Sequence, residues 1–240
     1  MHNISLYCIV LILKITLAQQ FYNENSIFKN ELTVGINFNT IAPIVGGFTL
    51  KLSRLANEKY ETYHCFLFEG TNVKHPKEVK VSSVGGGNTY VKGKENHFIP
   101  IRTLYGREHI LFQKAKDEGV QLNIIYAGGP VWGILKPYYI LYGPNQDNAQ
   151  YVKNNASRSD NLIQGQGGFL MGMDEAKIIP GLSTRLSLNL VFDSFRSNLI
   201  GVEVGMQMDI FPQKIRIIPI AGDKNTFISG FIVGYFGNRW

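Results

Sequence analysis

The sequence predicts an all-β fold, a single antiparallel transmembrane β-barrel of eight strands with long extracellular loops. Three observations predict it. Apolar and polar residues alternate at period two in segments of about ten residues, the length a tilted strand needs to cross a bilayer. Charged residues are 18% of the 240 positions, with 15 Phe and 12 Tyr, whereas soluble domains carry roughly 25% charge. After residue 20 no stretch offers the ~18 uninterrupted apolar residues of a spanning helix, so a membrane chain has only strands to cross with.

The N-terminus reads as a targeting segment. Ile4 to Ala18 is an apolar run, and small residues at Thr16 and Ala18 precede Gln19, which fits a signal-peptide cleavage site. Only His2 stands before the run and Lys14 interrupts it, so an uncleaved anchor is the competing reading; the run is shorter than the ~20 residues a spanning helix needs. Residues 1–18 are therefore expected to be a cleavable signal peptide and 19–240 one outer-membrane barrel domain. Cleavage removes Cys8 and leaves Cys65 alone, with no disulfide framework and no zinc spacing.

The strands follow in order. Glu31 to Thr40 sets Leu32, Val34, Ile36 and Phe38 against Thr33, Gly35 and Asn37. Gly47 to Leu55 repeats this with Phe48, Leu50 and Leu52 against Thr49, Lys51 and Ser53. Lys59 to Glu69 and His97 to Tyr105 alternate less cleanly. Gly119 to Tyr142 reads as one long strand bent at Gly128-Gly129, or as two, which would raise the count toward ten. Leu182 to Phe192 and Leu199 to Ile210 are the clearest; in the latter Ile200, Val202, Val204, Met206, Met208 and Ile210 oppose Gly201, Glu203, Gly205, Gln207 and Asp209. Phe227 to Phe236 closes the set, with Phe227, Phe231, Val233 and Tyr235 on one face.

The connections fix an orientation. Turns at Ala56 to Glu58, Gly106 to Glu118 and Asp193 to Ser197 fall at one end. Gly70 to Glu95, Gly143 to Gly181 and Phe211 to Thr226 fall at the other, with the short Ile41 to Gly46 as the exception. Short periplasmic turns and long external loops are the outer-membrane pattern. Within the largest loop, Met171 to Pro180 is expected to form a local helix or cap. Gly85-Gly-Gly87 has no following helix, so it reads as a loop tip rather than a phosphate cradle.

An eight-stranded barrel has room inside for side chains but not for a diffusion channel. Lys51, Arg102, Arg185, Glu203, Gln207 and Asp209 fall on the lumen face and are expected to form a structural polar network, with Arg185 diagonal to Glu203. Arg107, Glu108 and His109 are expected at a periplasmic turn as a docking cluster. Trp132, Tyr138, Tyr139, Tyr142, Tyr235 and Trp240 are read as interface-belt aromatics. His64, His75, His97 and His109 sit in no nucleophile or metal motif, so no catalytic, metal or cofactor-binding residue is expected. The net charge of +6 is scattered and interleaved with no aromatic stripe, which argues against nucleic acid.

Gly106-Arg-Glu-His-Ile-Leu-Phe112, Tyr126-Ala-Gly-Gly129 with Leu135-Lys-Pro-Tyr-Tyr139, Gly167-Gly-Phe-Leu-Met-Gly-Met173 and Ile179-Pro-Gly-Leu182 together resemble a family of small outer-membrane β-barrel proteins of Bacteroidota. The resemblance covers about residues 95 to 240. It implies the fold and the outer membrane, with lipids as partners, and brings no catalytic residues; some similar barrels are subunits of secretion or assembly machines. The expectation is a non-enzymatic barrel acting as a structural or accessory subunit beside other outer-membrane or periplasmic proteins. Its rivals are a lipid-modifying barrel enzyme and a soluble lipocalin-like barrel.

Overall fold

In a computed structural model of the chain, residues 29–43, 45–57, 62–83, 88–112, 120–155, 157–193 and 198–240 are described. The signal-peptide segment and the Gly85-Gly-Gly87 tip lie outside them. Thirteen strands are formed among these residues: β1 (Asn30–Asn39), β2 (Gly47–Asn57), β3 (Thr62–Thr71), β4 (Lys80–Ser82), β5 (Thr89–Val91), β6 (Asn96–Phe112), β7 (Gln121–Pro137), β8 (Tyr139–Tyr142), β9 (Gln150–Lys153), β10 (Ile163–Gln166), β11 (Lys177–Asp193), β12 (Asn198–Ile215) and β13 (Lys224–Arg239). Eight of them close into an antiparallel ring in the order β1, β13, β12, β11, β7, β6, β3, β2. The first and last strands seal it over nine opposed pairs from Glu31↔Arg239 to Asn39↔Phe231, so the ring leaves no unpaired edge.

Strand pairing extends several segments beyond the reach of their sequence alternation. Gly106 to Phe112 is not a turn; β6 continues through it because Gly106 to Phe112 stay paired with Leu122 to Ala127 of β7. Likewise β7 passes through Gly128-Gly129 unbroken, both residues paired to β11. Residues 139–142 leave the ring and pair with β9 and β10, so eight rather than ten strands cross. Lys177 to Pro180 belongs to β11, and the rest of the expected helix is a run of turns.

The side-chain distribution inverts that of a soluble protein. Residues on the outward row, such as Leu182, Met206 and Phe236, are 64–68% exposed, while Lys51, Glu69, Arg102 and Glu203 are at most 2% exposed. A polar lumen inside an apolar wall is what a bilayer-spanning barrel requires, and it is the reverse of the lipocalin-like alternative. In β13 the face carrying Phe227, Phe231, Val233 and Tyr235 turns inward and Ile228, Ile232 and Phe236 turn out. Closure against β1 and β12 sets that phase, since Val34 and Ile200 both oppose Phe236. No helix of the described residues is long and apolar enough to cross a membrane.

At the long-loop end β4 pairs with β5, and β8 is flanked by β9 and β10. These short sheets share a small core of Tyr90, Val91, Tyr138, Ile140 and Ile163. The long connections thus fold into a packed cap on the barrel.

Candidate functional site

The lumen is filled in layers. At the cap end Phe98, Phe211 and Phe227 pack ring to ring at 5.1–6.1 Å, within an apolar cluster that includes Val131, Ile179 and Ile215. Below it lies the charged layer. The Arg102 guanidinium donates to Asp209 at 2.6 and 3.0 Å and to Glu69 at 2.7 Å. Arg185 donates to the other Glu69 oxygen at 2.6 Å, to Glu203 at 3.0 Å and to Gln207 at 3.2 Å. Lys51 pairs with Glu108 at 2.9 Å, and Glu108 also accepts from Asn123 at 2.6 Å and Asn189 at 2.7 Å. All six residues assigned to the lumen from the alternation are buried there. Each charge meets an opposite charge with further hydrogen bonds, the condition under which buried ions are tolerated.

Sequence reasoning missed the two carboxylates at the centre of this network. Glu69 bridges both arginines and Glu108 anchors Lys51. Both were legible in phase, since Cys65, Leu67 and Glu69 share one parity, as do Leu104, Gly106 and Glu108.

The Arg107-Glu108-His109 docking turn is corrected: the three residues lie within β6. Strand alternation sends Glu108 into the lumen and leaves Arg107 on the outer wall. The aromatic reading also divides. Trp132 and Trp240 are exposed, whereas Tyr235 is buried and donates to Asn189 at 2.5 Å, and Tyr138 is buried in the cap core.

The histidines have separate neighbours. His64 Nδ1 lies 2.5 Å from the Tyr105 hydroxyl. His75 Nδ1 accepts from the Lys77 amide at 3.1 Å. His109 lies 3.0 Å from both the Thr62 and the Tyr126 hydroxyls, so the ring nitrogen opposite Thr62 faces a phenol where a triad would place an orienting carboxylate. Among the described residues no group of three His, Cys, Asp or Glu could hold a metal ion.

The cap offers an ordered surface. His97 and Lys136 oppose each other on β6 and β7, on the outward face beyond the apolar belt. The connection from β10 to β11 folds down over them. The Lys136 ammonium donates to the Phe169 carbonyl and, at 3.3 Å, to that of Met171, and His97 packs edge-on to Tyr138 and Phe169 at 5.2 and 6.2 Å. Burial beside Lys94 and Lys136 pushes the His97 imidazole down to about 3. A second buried contact, Lys94 with Glu78 at 2.8 Å, ties the β5–β6 turn to the preceding loop. Held this way, the connection presents Phe169 and Leu170, the latter 74% exposed.

No family model matches the chain, and no curated protein matches it. Among solved structures, Ail, the attachment invasion locus protein of Yersinia pestis, aligns over 89% of this chain and 99% of its own at 10% identity and a TM-score of 0.41. One of its structures is a complex with the heparin analogue sucrose octasulfate. Neisserial surface protein A aligns over 91% and 100% at 8% identity and a TM-score of 0.40. The eight-stranded ring rests on its own register and closure, independently of these distant likenesses.

Proposed function

We propose that this protein is a non-enzymatic, integral outer-membrane barrel that works through its folded external cap, as a structural or accessory subunit docking a partner protein. The observation that carries this reading is the contrast between the two ends of the chain's chemistry. The lumen is packed and ion-paired, as the narrow bore of an eight-stranded barrel allows, while the long connections form an ordered cap that displays Phe169, Leu170 and Met173 to the outside. Ordered long loops with exposed apolar residues are the usual dress of an interaction surface.

A photo-crosslinker at Leu170 tests it. The expected result is one discrete adduct in native membranes that disappears in Phe169→Ser/Leu170→Ser, while a crosslinker at Ile200 on the lipid-facing wall gives none. A barrel that stays solitary at Leu170 and in mild-detergent extracts overturns the reading.

A further inference from the structure

The barrel wall carries a basic feature that neither the lumen nor the cap uses. On β6 the outward row runs Ile99, Ile101, Thr103, Tyr105, Arg107 and His109 toward the short-turn end. Register places His64 of β3 on one side of Arg107 and Tyr126 of β7 on the other. Tyr105 and His64 lie nearly parallel with ring centres 5.8 Å apart, and His109 and Tyr126 do the same at 5.6 Å. Two ring pairs therefore brace each other around Arg107, which is exposed and forms no ion pair among the described residues. Arg54 extends the row beyond His64. Among the strand residues with described side chains no outward position carries a carboxylate; Glu31, Glu69, Glu108, Glu203 and Asp209 are all buried inside.

Toward the cap from Arg107 the wall is recessed. Tyr105 opposes Gly128, which opposes Thr184, so small residues stand where other strands carry Leu, Ile or Phe. An added Cβ at Gly128 would meet nothing nearer than 3.6 Å. Tyr105 stands as a ridge between two grooves. One, of about 430 Å³, is lined by Arg107, Tyr126, Gly128 and Thr184. The other, of about 470 Å³, is lined by Phe66, Phe68, Thr103 and Pro130.

We propose that this face binds one two-chain anionic glycerophospholipid, its phosphate on Arg107 and one acyl chain in each groove beside Tyr105. The assignment rests on the membrane reading above, in which the short-turn end faces the periplasmic leaflet. Arginine suits the phosphate because its planar fork donates two parallel hydrogen bonds, and Arg54 adds a second positive charge along the row. A net-negative headgroup is favoured over a zwitterionic one, because among the described strand residues no outward carboxylate stands beside Arg107 to receive an ammonium.

Native mass spectrometry of the folded barrel, released from a neutral detergent and titrated with phosphatidylglycerol and phosphatidylethanolamine of identical chains, reads this directly. The expected result is retention of one phosphatidylglycerol at about tenfold lower concentration than phosphatidylethanolamine, a difference of ~1.4 kcal/mol. Arg107→Gln removes that preference and Arg107→Lys keeps part of it. Gly128→Leu, which fills both grooves, weakens retention of both lipids. Arg216→Gln, at the opposite rim, leaves the preference intact. Equal retention of the two lipids, an unchanged preference in Arg107→Gln, or stronger retention of lipid A than of phosphatidylglycerol overturns the proposal. Variants are scored only where they keep the heat-modifiable gel shift of a folded barrel, and Arg107→Lys remains informative if Arg107→Gln does not fold. Membrane fractionation separates the two readings: a protein absent from the outer membrane fails the membrane reading, whereas an outer-membrane barrel without lipid preference fails only this one.

Discussion

Arg102 and Asp209 meet across the bore from β6 and β12, which β11 and β7 separate in the ring, and the guanidinium holds the carboxylate through Nε at 3.0 Å and Nη2 at 2.6 Å. The pair ties opposite walls together where backbone ladders cannot. Asp209→Asn removes the charge and leaves a fully buried guanidinium to share Glu69 with Arg185. Breaking one partner of a buried pair costs roughly 3–5 kcal/mol, and the remaining Glu69 contact sets the expectation at the lower end, about 3 kcal/mol. Urea unfolding of the refolded barrel checks it; a loss under about 1 kcal/mol would be that of a solvent-exposed pair and would contradict a sealed lumen.

The same packing bears on conduction. The Phe98, Phe211 and Phe227 cluster closes the bore at the cap end, and the charged layer fills it below. In planar bilayers the protein is expected to show no steady unitary conductance at neutral pH, and Arg102→Ala/Arg185→Ala is expected to introduce channel-like steps if it folds. Steady steps from the unaltered protein would overturn the filled-lumen description.

Most of the ring was legible in the sequence because β1, β2, β11 and β12 each carry a strict period-two alternation that one buried face enforces. The β6–β7 hairpin was less so. In β7, Ile124, Ile125 and Tyr126 are consecutive and apolar, so neither parity stands out, and Gly128-Gly129 looks like a break until β11 is seen to pair across it. Glu108 was lost with Arg107 and His109 because three polar residues in a row read as a turn. The cap was illegible for a different reason: β4, β5, β8, β9 and β10 are three or four residues each, too short to display a period. Their order comes from contacts such as the Tyr138 hydroxyl accepting from the Val91 amide at 3.0 Å across 47 residues of sequence.

Two glycines on the hairpin should respond in opposite ways. A Cβ on Gly106 would come within 2.1 Å of the Tyr126 carbonyl oxygen and 2.6 Å of Ala127 Cα, both backbone atoms of β7 that can move only by spreading the ladder. Gly106→Ala is therefore expected to cost about 1–3 kcal/mol as an overpacking change. A Cβ on Gly128 would meet only the Ser183 carbonyl oxygen, at an ordinary contact distance of 3.6 Å, so Gly128→Ala is expected within ~0.5 kcal/mol of the parent. Paired urea midpoints test the contrast, and equal losses would show that the outward recess at Gly128 is already occupied.

The cap should loosen in mild acid while the barrel holds. His97 titrates near 6.5 in an unfolded chain and about 3 when folded, because burial beside Lys94 and Lys136 disfavours its charged form. Between those values the unfolded segment binds more protons than the folded one, so cap stability is complete above about pH 6.5 and declines as the pH falls toward 3. His75, pushed down by burial and by Lys224, acts in the same direction. Hydrogen exchange at Val91 and Ile140, in the cap core, is expected to accelerate between pH 6.5 and 4.5 relative to the intrinsic rate, with amides of Val204 in the wall unchanged. His97→Leu keeps an apolar group against Phe169 and Tyr138 and is expected to remove most of that acceleration. Cap exchange whose pH dependence is the same in His97→Leu would place the sensitivity elsewhere.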